Sequence, residues 1–516
     1  MKQISILFFI LLLLGACVKA PTQTDNFVKI VDGRFSINDK PYYYIGTNFW
    51  YAAILGSQGQ GGNRERLLKE LDFMKANGIT NLRVLVGADG IDGMMTKAEP
   101  ALQTAPGVYN DTIFDGLDFF LSELGKRGMH AVLFLNNSWE WSGGYSQYLY
   151  WSGHGEVPMP KVAGWNAFSN YVAQYAKSEK AHKLFENHVR QVVSRVNRYT
   201  KLKYSDDPAI MAWQIGNEPR PFGEENKESF AKWIAECAAL IKSIDPNHLI
   251  SVGSEGMAGC EGDLGLWVKL HQDINIDYST IHIWPNNWGW IDKTDIPGTL
   301  DKAIANTREY IDVHVAEAQK MNKPLVLEEF GLPRDSVMFN RKSSTVLRDR
   351  YYEEIFEIVK EHAIQKSVFQ GCNFWAWGGF AQPQHLFWQK GDDYMGDPGQ
   401  EEQGLNSVRT GSGGGDRPLR LRGAPRRGAR RRIPARRFRR DEARSQRHHR
   451  LRFRIPPCGV RIRRIRTSRC GRGVRRTAEA RPPALRRTPH FDFGQDGSRS
   501  FGARPALRQA AKKHRR

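Results

Sequence analysis

The sequence predicts an α/β protein built as a (β/α)8 barrel of the TIM type. Three observations carry that expectation: strand-length apolar runs alternate with helical apolar spacing, eight such runs lie between residues 42 and 377, and polar residues cluster where the runs end. Strands separated by helices form right-handed βαβ units and a parallel sheet, and eight of them close into a barrel. An open doubly wound sheet is the alternative, but no glycine-rich phosphate loop follows the first strand.

Taken in order, residues 27–40 read as a small hairpin capping one end of the barrel. The strands are expected at 42–50, 81–86, 130–136, 210–218, 249–254, 277–284, 324–329 and 368–377. Between them, helical spacing marks 64–77, 111–127, 182–199, 229–244, a short segment near 265–272, 299–321 and 344–365. The insertion 138–181, rich in Trp, Tyr and Gly, is long for a connection and is expected to line a cleft.

The stretch Ile210 to Arg220, IMAWQIGNEPR, organises the chemistry. It starts as a buried-strand pattern and ends in Asn217-Glu218-Pro219, and in such barrels the functional residues sit at strand C-termini. Pro219 restricts Glu218 to extended backbone and ends the strand at about that residue. The polar residues at the other strand ends are Arg83, Asn136, Asn137, Glu255, His282, Glu328 and Glu329, with Trp284, Trp375 and Trp377 beside them. Cleaving a glycosidic bond needs two carboxyls flanking it, one a proton donor and one ionised, and a separation of about 5 Å permits a covalent intermediate. Glu218 and the Glu328-Glu329 pair fall on opposite sides of the barrel mouth. Alternation along a strand lets only one of Glu328 and Glu329 point inward, and spacing alone does not choose.

Composition divides the chain. Residues 409–516 hold 34 Arg and 2 Lys against 6 acidic residues, which leaves 40 basic and 49 acidic residues in 1–408. The formal charge of +21 therefore belongs to the tail, and nucleic acid is not an expected partner of the body. The tail has no hydrophobic period and cannot build a core. A basic arm and a passive linker are two readings; the favoured one is a slipped coding frame near Val408, since such an excess of Arg over Lys is what GC-rich DNA gives when read out of frame, and the last barrel helix, of which no pattern follows the eighth strand, would then be missing. At the other end, Lys2, an apolar run and Leu14-Gly15-Ala16-Cys17 resemble a lipoprotein signal, making Cys17 the lipidated residue of an exported protein; a plain signal peptide is the alternative. The domain layout expected is signal 1–17, linker 18–27, barrel 28–408 and tail 409–516. The cysteines lack metal spacing, so neither metal nor cofactor is expected.

The order Arg83, Asn217-Glu218-Pro219, His282-Ile283-Trp284, Glu329-Phe330-Gly331 and Trp375 resembles glycoside hydrolase family 5. Asn217-Glu218-Pro219-Arg220 and Leu327-Glu328-Glu329-Phe330-Gly331 look like its endo-β-1,4-mannanases. The resemblance implies that Glu218 is the acid/base and Glu329 the nucleophile of a retaining enzyme, with Arg83, Asn217, Arg220, His282, Trp284 and Trp375 contacting substrate. Arg83 would hold Glu329 ionised, Glu218 would keep its proton to near neutral pH, and Trp375 would stack under the sugar. The family has Tyr where this chain has Trp284, whose indole can donate to the nucleophile but not accept. Glu255 and Trp139 are further candidates for the cleft. The expected substrate is β-mannan or a related β-1,4-linked polysaccharide and the expected state a monomer. The rivals are a β-1,4-glucanase, an exo-β-mannosidase, and a non-catalytic glycan- or nucleic-acid-binding protein.

Overall fold

The computed structural model describes residues 26–94, 97–335, 343–385 and 388–396. Cys17, the signal segment and the Arg-rich tail lie outside the described residues.

Eight parallel strands form one sheet: β1 (Tyr44–Asn48), β2 (Asn81–Leu85), β3 (His130–Phe134), β4 (Ile210–Gln214), β5 (Leu249–Ser251), β6 (Ser279–Ile283), β7 (Leu325–Phe330) and β8 (Phe369–Phe374). Their order in space is β5-β4-β3-β2-β1-β8-β7-β6. Strand ladders join every neighbouring pair except β5 and β6. Single backbone bonds bridge that seam, Asp277 N to Ile250 O at 2.8 Å and His282 N to Glu255 O at 3.2 Å. All eight expected strands are present, and the eightfold alternation closes as a barrel.

The helices after the first seven strands are α1 (Arg64–Ala76), α2 (Asp111–Lys126), α3 (Glu179–Val193), α4 (Lys227–Ile244), α5 (Leu264–Gln272), α6 (Ile296–Met321) and α7 (Val346–Ile364). Their starts follow from capping side chains. Asn63, Asn110, Ser178, Asp263 and Asp295 each accept a backbone N–H of the first turn, satisfying donors that have no partner inside the helix. Among the described residues no helix follows β8. Residues 375–385 and 388–396 are loop instead; the Trp388 and Tyr394 rings stack at 4.7 Å and Trp50 Nε1 donates to Gly396 O.

The expected N-terminal hairpin is a three-stranded antiparallel sheet (29–31, 34–37, 40–41). Phe35 from its middle strand enters the bottom of the barrel with Val28, Tyr44, Val132, Met211, Ala212, Leu249, Tyr278 and Val326. Its ring stands edge-on to Tyr278 at 5.4 Å, and its N–H donates to Gln370 Oε1 on β8. The sheet thus closes one end with apolar surface and leaves the polar strand ends at the other. Gly46 allows a further close contact in the barrel wall, since a Cβ there would lie 2.4 Å from Asn373 Nδ2 and Asn81 O. The insertion 138–181 is ordered rather than open loop. It folds into short helices at 144–152, 160–163 and 165–172 that stand beside the strand ends.

Because Phe35 fills the base away from the polar mouth, Phe35→Ala should cost about 3–5 kcal/mol of stability. Thermal unfolding should fall accordingly while activity per folded molecule, measured well below the transition, stays near the parent's.

Candidate active site

Arg83, on β2, points into the barrel and is fully buried. A guanidinium without water has to be surrounded by acceptors, and each of its nitrogens has one. Nε donates to Gln214 Oε1 at 2.8 Å, Nη1 to Asn48 Oδ1 at 3.0 Å and to Glu329 Oε1 at 2.5 Å, and Nη2 to Asn217 Oδ1 at 2.8 Å. The plane also lies over the Phe134 ring at 4.6 Å. One side chain therefore ties β1, β2, β4 and β7 together at their C-terminal ends.

Glu218 is held from two other directions. Its Oε1 accepts from His282 Nδ1 at 2.8 Å and its Oε2 from Trp139 Nε1 at 2.6 Å. The expected extended backbone is not what the structure has: Glu218 sits at φ 50°, in the left-handed region, and the β4 ladder ends at Gln214. Its N–H is fixed on Gly253 O at 3.0 Å while both carboxylate oxygens are anchored, and these contacts override the local preference. His282 Nδ1 also lies 3.5 Å from Glu329 Oε2.

The alternation argument for Glu328 and Glu329 also fails, for a structural reason. Ile281 pairs with Leu327 but His282 pairs with Glu329, so Glu328 is the extra residue of a β-bulge. Both carboxyls consequently face the interior. Glu328 accepts from Gln214 Nε2 at 2.5 Å and Tyr278 OH at 3.2 Å, deeper than Glu329. Only Glu329 reaches Glu218, with oxygens of the two acids within 4.8 Å of each other.

The two acids are coupled through their charges, and different neighbours act on each. Burial pushes Glu218 up, but the His282 bond and charge, then Arg220 and the Trp139 bond, outweigh it and bring the carboxyl down to about 2. Burial carries Glu329 well above the usual carboxylate range; Arg83 opposes this, and the charge of Glu218 adds to it. Two close acids cannot both ionise freely, so they titrate as a pair that shares one proton. Burial lowers His282 to about 4, so near neutral pH it acts on Glu218 as a neutral Nδ1–H donor.

Arg220 stands beside this pair. Its Nε donates to Glu255 Oε2 at 2.6 Å, its Nη2 contacts the same oxygen, and its plane lies 5.2 Å from the Trp139 ring. Burial raises Glu255 to about 8, with Arg220 opposing. Trp375 forms an aromatic wall with Trp141 and Trp284, each 6.3 Å away. Trp284 does not make the hydrogen bond to Glu329 that its indole could have donated. Its six-membered ring is turned against Gly331, where an added Cβ would lie 2.9 Å from Cζ3. Trp377 faces α1, donating to Glu70 Oε2.

Arg83 bonds Asn217 and Glu329, His282 bonds Glu218, and the 3.5 Å approach of His282 to Glu329 brings the two groups together, with Arg220 linked through Trp139 and Glu255. Asn48 and Gln214 were not singled out in the sequence, although a Gln inside the apolar run 210–215 was the available signal. Atoms of Glu218, His282 and Glu329 could also meet on a metal ion. Both carboxylates already accept N–H donors, one from the cationic Arg83.

A pair of carboxyls this close, walled by indoles at the mouth of a parallel barrel, answers the demands of glycosidic bond cleavage, and fold and site together define a glycoside hydrolase. Sequence comparison sharpens this: a family description of "GH family 5 beta-mannosidase-like" proteins matches residues 25–412, and the chain belongs to glycoside hydrolase family 5. It is 31% identical over 366 residues to mannan endo-1,4-beta-mannosidase 1 of Oryza sativa subsp. japonica, covering 68% of this chain and 78% of that protein. With mannan endo-1,4-beta-mannosidase 4 of Solanum lycopersicum it shares 29% over 364 residues, 68% of this chain and 83% of the other. Among solved structures, the family 5 mannosidase of Rhizomucor miehei superposes with a TM-score of 0.69 at 34% identity, covering 74% of this chain and 93% of that one. The endo-1,4-beta-D-mannanase of Thermotoga petrophila shares the fold, with a TM-score of 0.54 at 23% identity over 72% of this chain and 96% of the other.

Trp139→Phe removes a donor to the ionised form of Glu218 and so should raise its pKa. A bond to a charged group is worth about 1.5–3 kcal/mol, or roughly one to two pKa units. Carboxyl titration followed by infrared difference spectroscopy should show the Glu218 transition at higher pH than in the parent.

Proposed function

We propose that the protein is a retaining endo-β-1,4-mannanase that hydrolyses mannan by double displacement, with Glu329 as nucleophile and Glu218 as acid/base. The observation that carries the reading is the spacing of the two acids. Oxygens within 4.8 Å leave no room for the water that an inverting enzyme places between carboxyls about 6.5–9.5 Å apart. The names of the curated relatives, both mannan endo-1,4-beta-mannosidases, and the motifs around Glu218 and Glu329 support mannan as the substrate.

In the first step Glu329 attacks the anomeric carbon while Glu218 gives its proton to the departing oxygen. Positive charge growing on the sugar ring favours the ionised form of Glu329 and so keeps the shared proton on Glu218, the order the reaction needs. Arg83 holds the attacking carboxylate in place, and His282, within reach of both acids, keeps them aligned. In the second step Glu218 takes a proton from water, which releases the sugar from Glu329. Asn217, fixed by Arg83 and Asn137, is positioned to meet the sugar 2-hydroxyl, and Trp375 to stack on the ring. Trp284 and Arg220 complete the substrate contacts.

A second reading, exo-acting β-mannosidase, is favoured by one observation: the 34% identical Rhizomucor miehei structure is a mannosidase. Product lengths separate the two. Early release of mixed oligosaccharides from β-mannan supports endo action; mannose alone from chain ends supports the exo reading. Glu218→Ala should lower kcat on mannan by about 10²–10⁴-fold yet spare glycosides with an activated leaving group. Glu329→Ala should lose both activities. Equal retention of activity in either variant would sink the assignment.

We also propose that the chain is an exported monomer anchored through lipidated Cys17, with the layout 1–17, 18–27, 28–408 and 409–516. The Leu14-Gly15-Ala16-Cys17 string supports the export and the anchor, and the change of composition after Val408 the last boundary. Labelled palmitate should enter the parent expressed in a bacterial host and not Cys17→Ala; label in neither removes the anchor from the proposal.

A further inference from the structure

Trp165 is more than half exposed, at 55%, although it is large and apolar. It begins the short helix Trp165–Val172 in the insertion after β3, directly after Gly164 at φ 84°. Its ring is anchored from below by buried Phe168, edge-on at 5.9 Å, and stands perpendicular to Trp139 at 5.8 Å. Phe222, from the loop that follows Glu218, meets the same Trp139 ring at 5.9 Å. Three rings from two loops are therefore assembled into one edge-to-face group, and the outermost face is left to solvent.

The position of this group relative to the chemistry is fixed by one bond. Trp139 Nε1 donates to Glu218 Oε2, so the cluster begins at the acid that protonates the leaving oxygen. It then runs outward from there, on the side of the departing part of the substrate. Indole faces accept the C–H-lined faces of pyranose rings, and a fixed, half-exposed Trp loses little rotamer freedom on doing so.

We propose that Trp165, supported by Trp139 and Phe222, is a stacking platform for a sugar of a β-1,4-linked hexopyranose chain beyond the first leaving-group residue, and sets the preference for long substrates. This rests on the glycosidase reading above. It gives the insertion a role in substrate length beside the bond that Trp139 makes to the acid.

The test compares the full-length parent with Trp165→Ala and Trp165→Phe on two substrates, a hexasaccharide and a 4-nitrophenyl glycoside carrying no sugar on the leaving side. Both are run in the manno and the gluco series, after circular dichroism and thermal unfolding establish that each variant is folded. With Trp165→Ala, kcat/KM on the hexasaccharide should fall about tenfold, near the upper value for an aromatic contact. Activity on the nitrophenyl glycoside should stay unchanged, and Trp165→Phe should recover part of the loss. An equal fall on both substrates overturns the platform in favour of simple support for Trp139, and no change on either overturns it as well. Cleavage confined to the gluco series overturns the mannan reading, while the length ratio in that series still decides the platform. A parent that cleaves neither series overturns both.

Discussion

The site depends on one buried cation. Arg83 is enclosed in the barrel, where an unpaired guanidinium would cost several kcal/mol, and its acceptors come from β1, β7, and β4 with the loop that follows it. Satisfying that charge sets where Asn48, Gln214, Asn217 and Glu329 must lie. The catalytic geometry is in this sense a consequence of solvating Arg83 with protein atoms. The same requirement gives the strand ends a polar interior that the apolar base, closed by Phe35, does not have.

Around that charge the carboxyls are sorted by depth and by donors. The bulge in β7 turns two consecutive glutamates inward, which a regular strand cannot do. Glu328 is absorbed by Gln214 and Tyr278 beneath the site, while Glu329 comes within reach of His282 and Glu218. Glu218 carries bonds from His282 and Trp139, Glu329 one from Arg83, and the two acids titrate as a pair. A single proton shared by two close acids suits a reaction in which each must change state once per turnover.

Outside the barrel, the insertion after β3 contributes Trp139 and Trp165, and the loop after β4 contributes Arg220 and Phe222. Trp139 belongs to both the chemistry and the cleft, since one edge of its indole bonds Glu218 and its ring packs on Trp165, Phe222 and Arg220. Movement of this insertion would therefore alter proton affinity at Glu218 together with contacts to the leaving chain.

The eight strands, their parallel order and the placing of Glu218 and Glu329 at strand ends were legible in the sequence. Each rests on local signals: apolar runs of strand length, helical spacing between them and polar residues where the runs stop. The resemblance to family 5 added the choice of Glu329 over Glu328. The bulge was not legible, because it is a mismatch of register between β6 and β7 that neither strand carries alone. The left-handed Glu218 was hidden for a related reason, since contacts from Gly253, His282 and Trp139 overrule what Pro219 asks of its neighbour. The coupling of the two acids and the placing of Trp284 depend likewise on burial, on distances between side chains far apart in the chain, and on the packing of one ring against Gly331. Local pattern determined which residues reach the barrel mouth; the register and packing of distant elements decided how they face one another there.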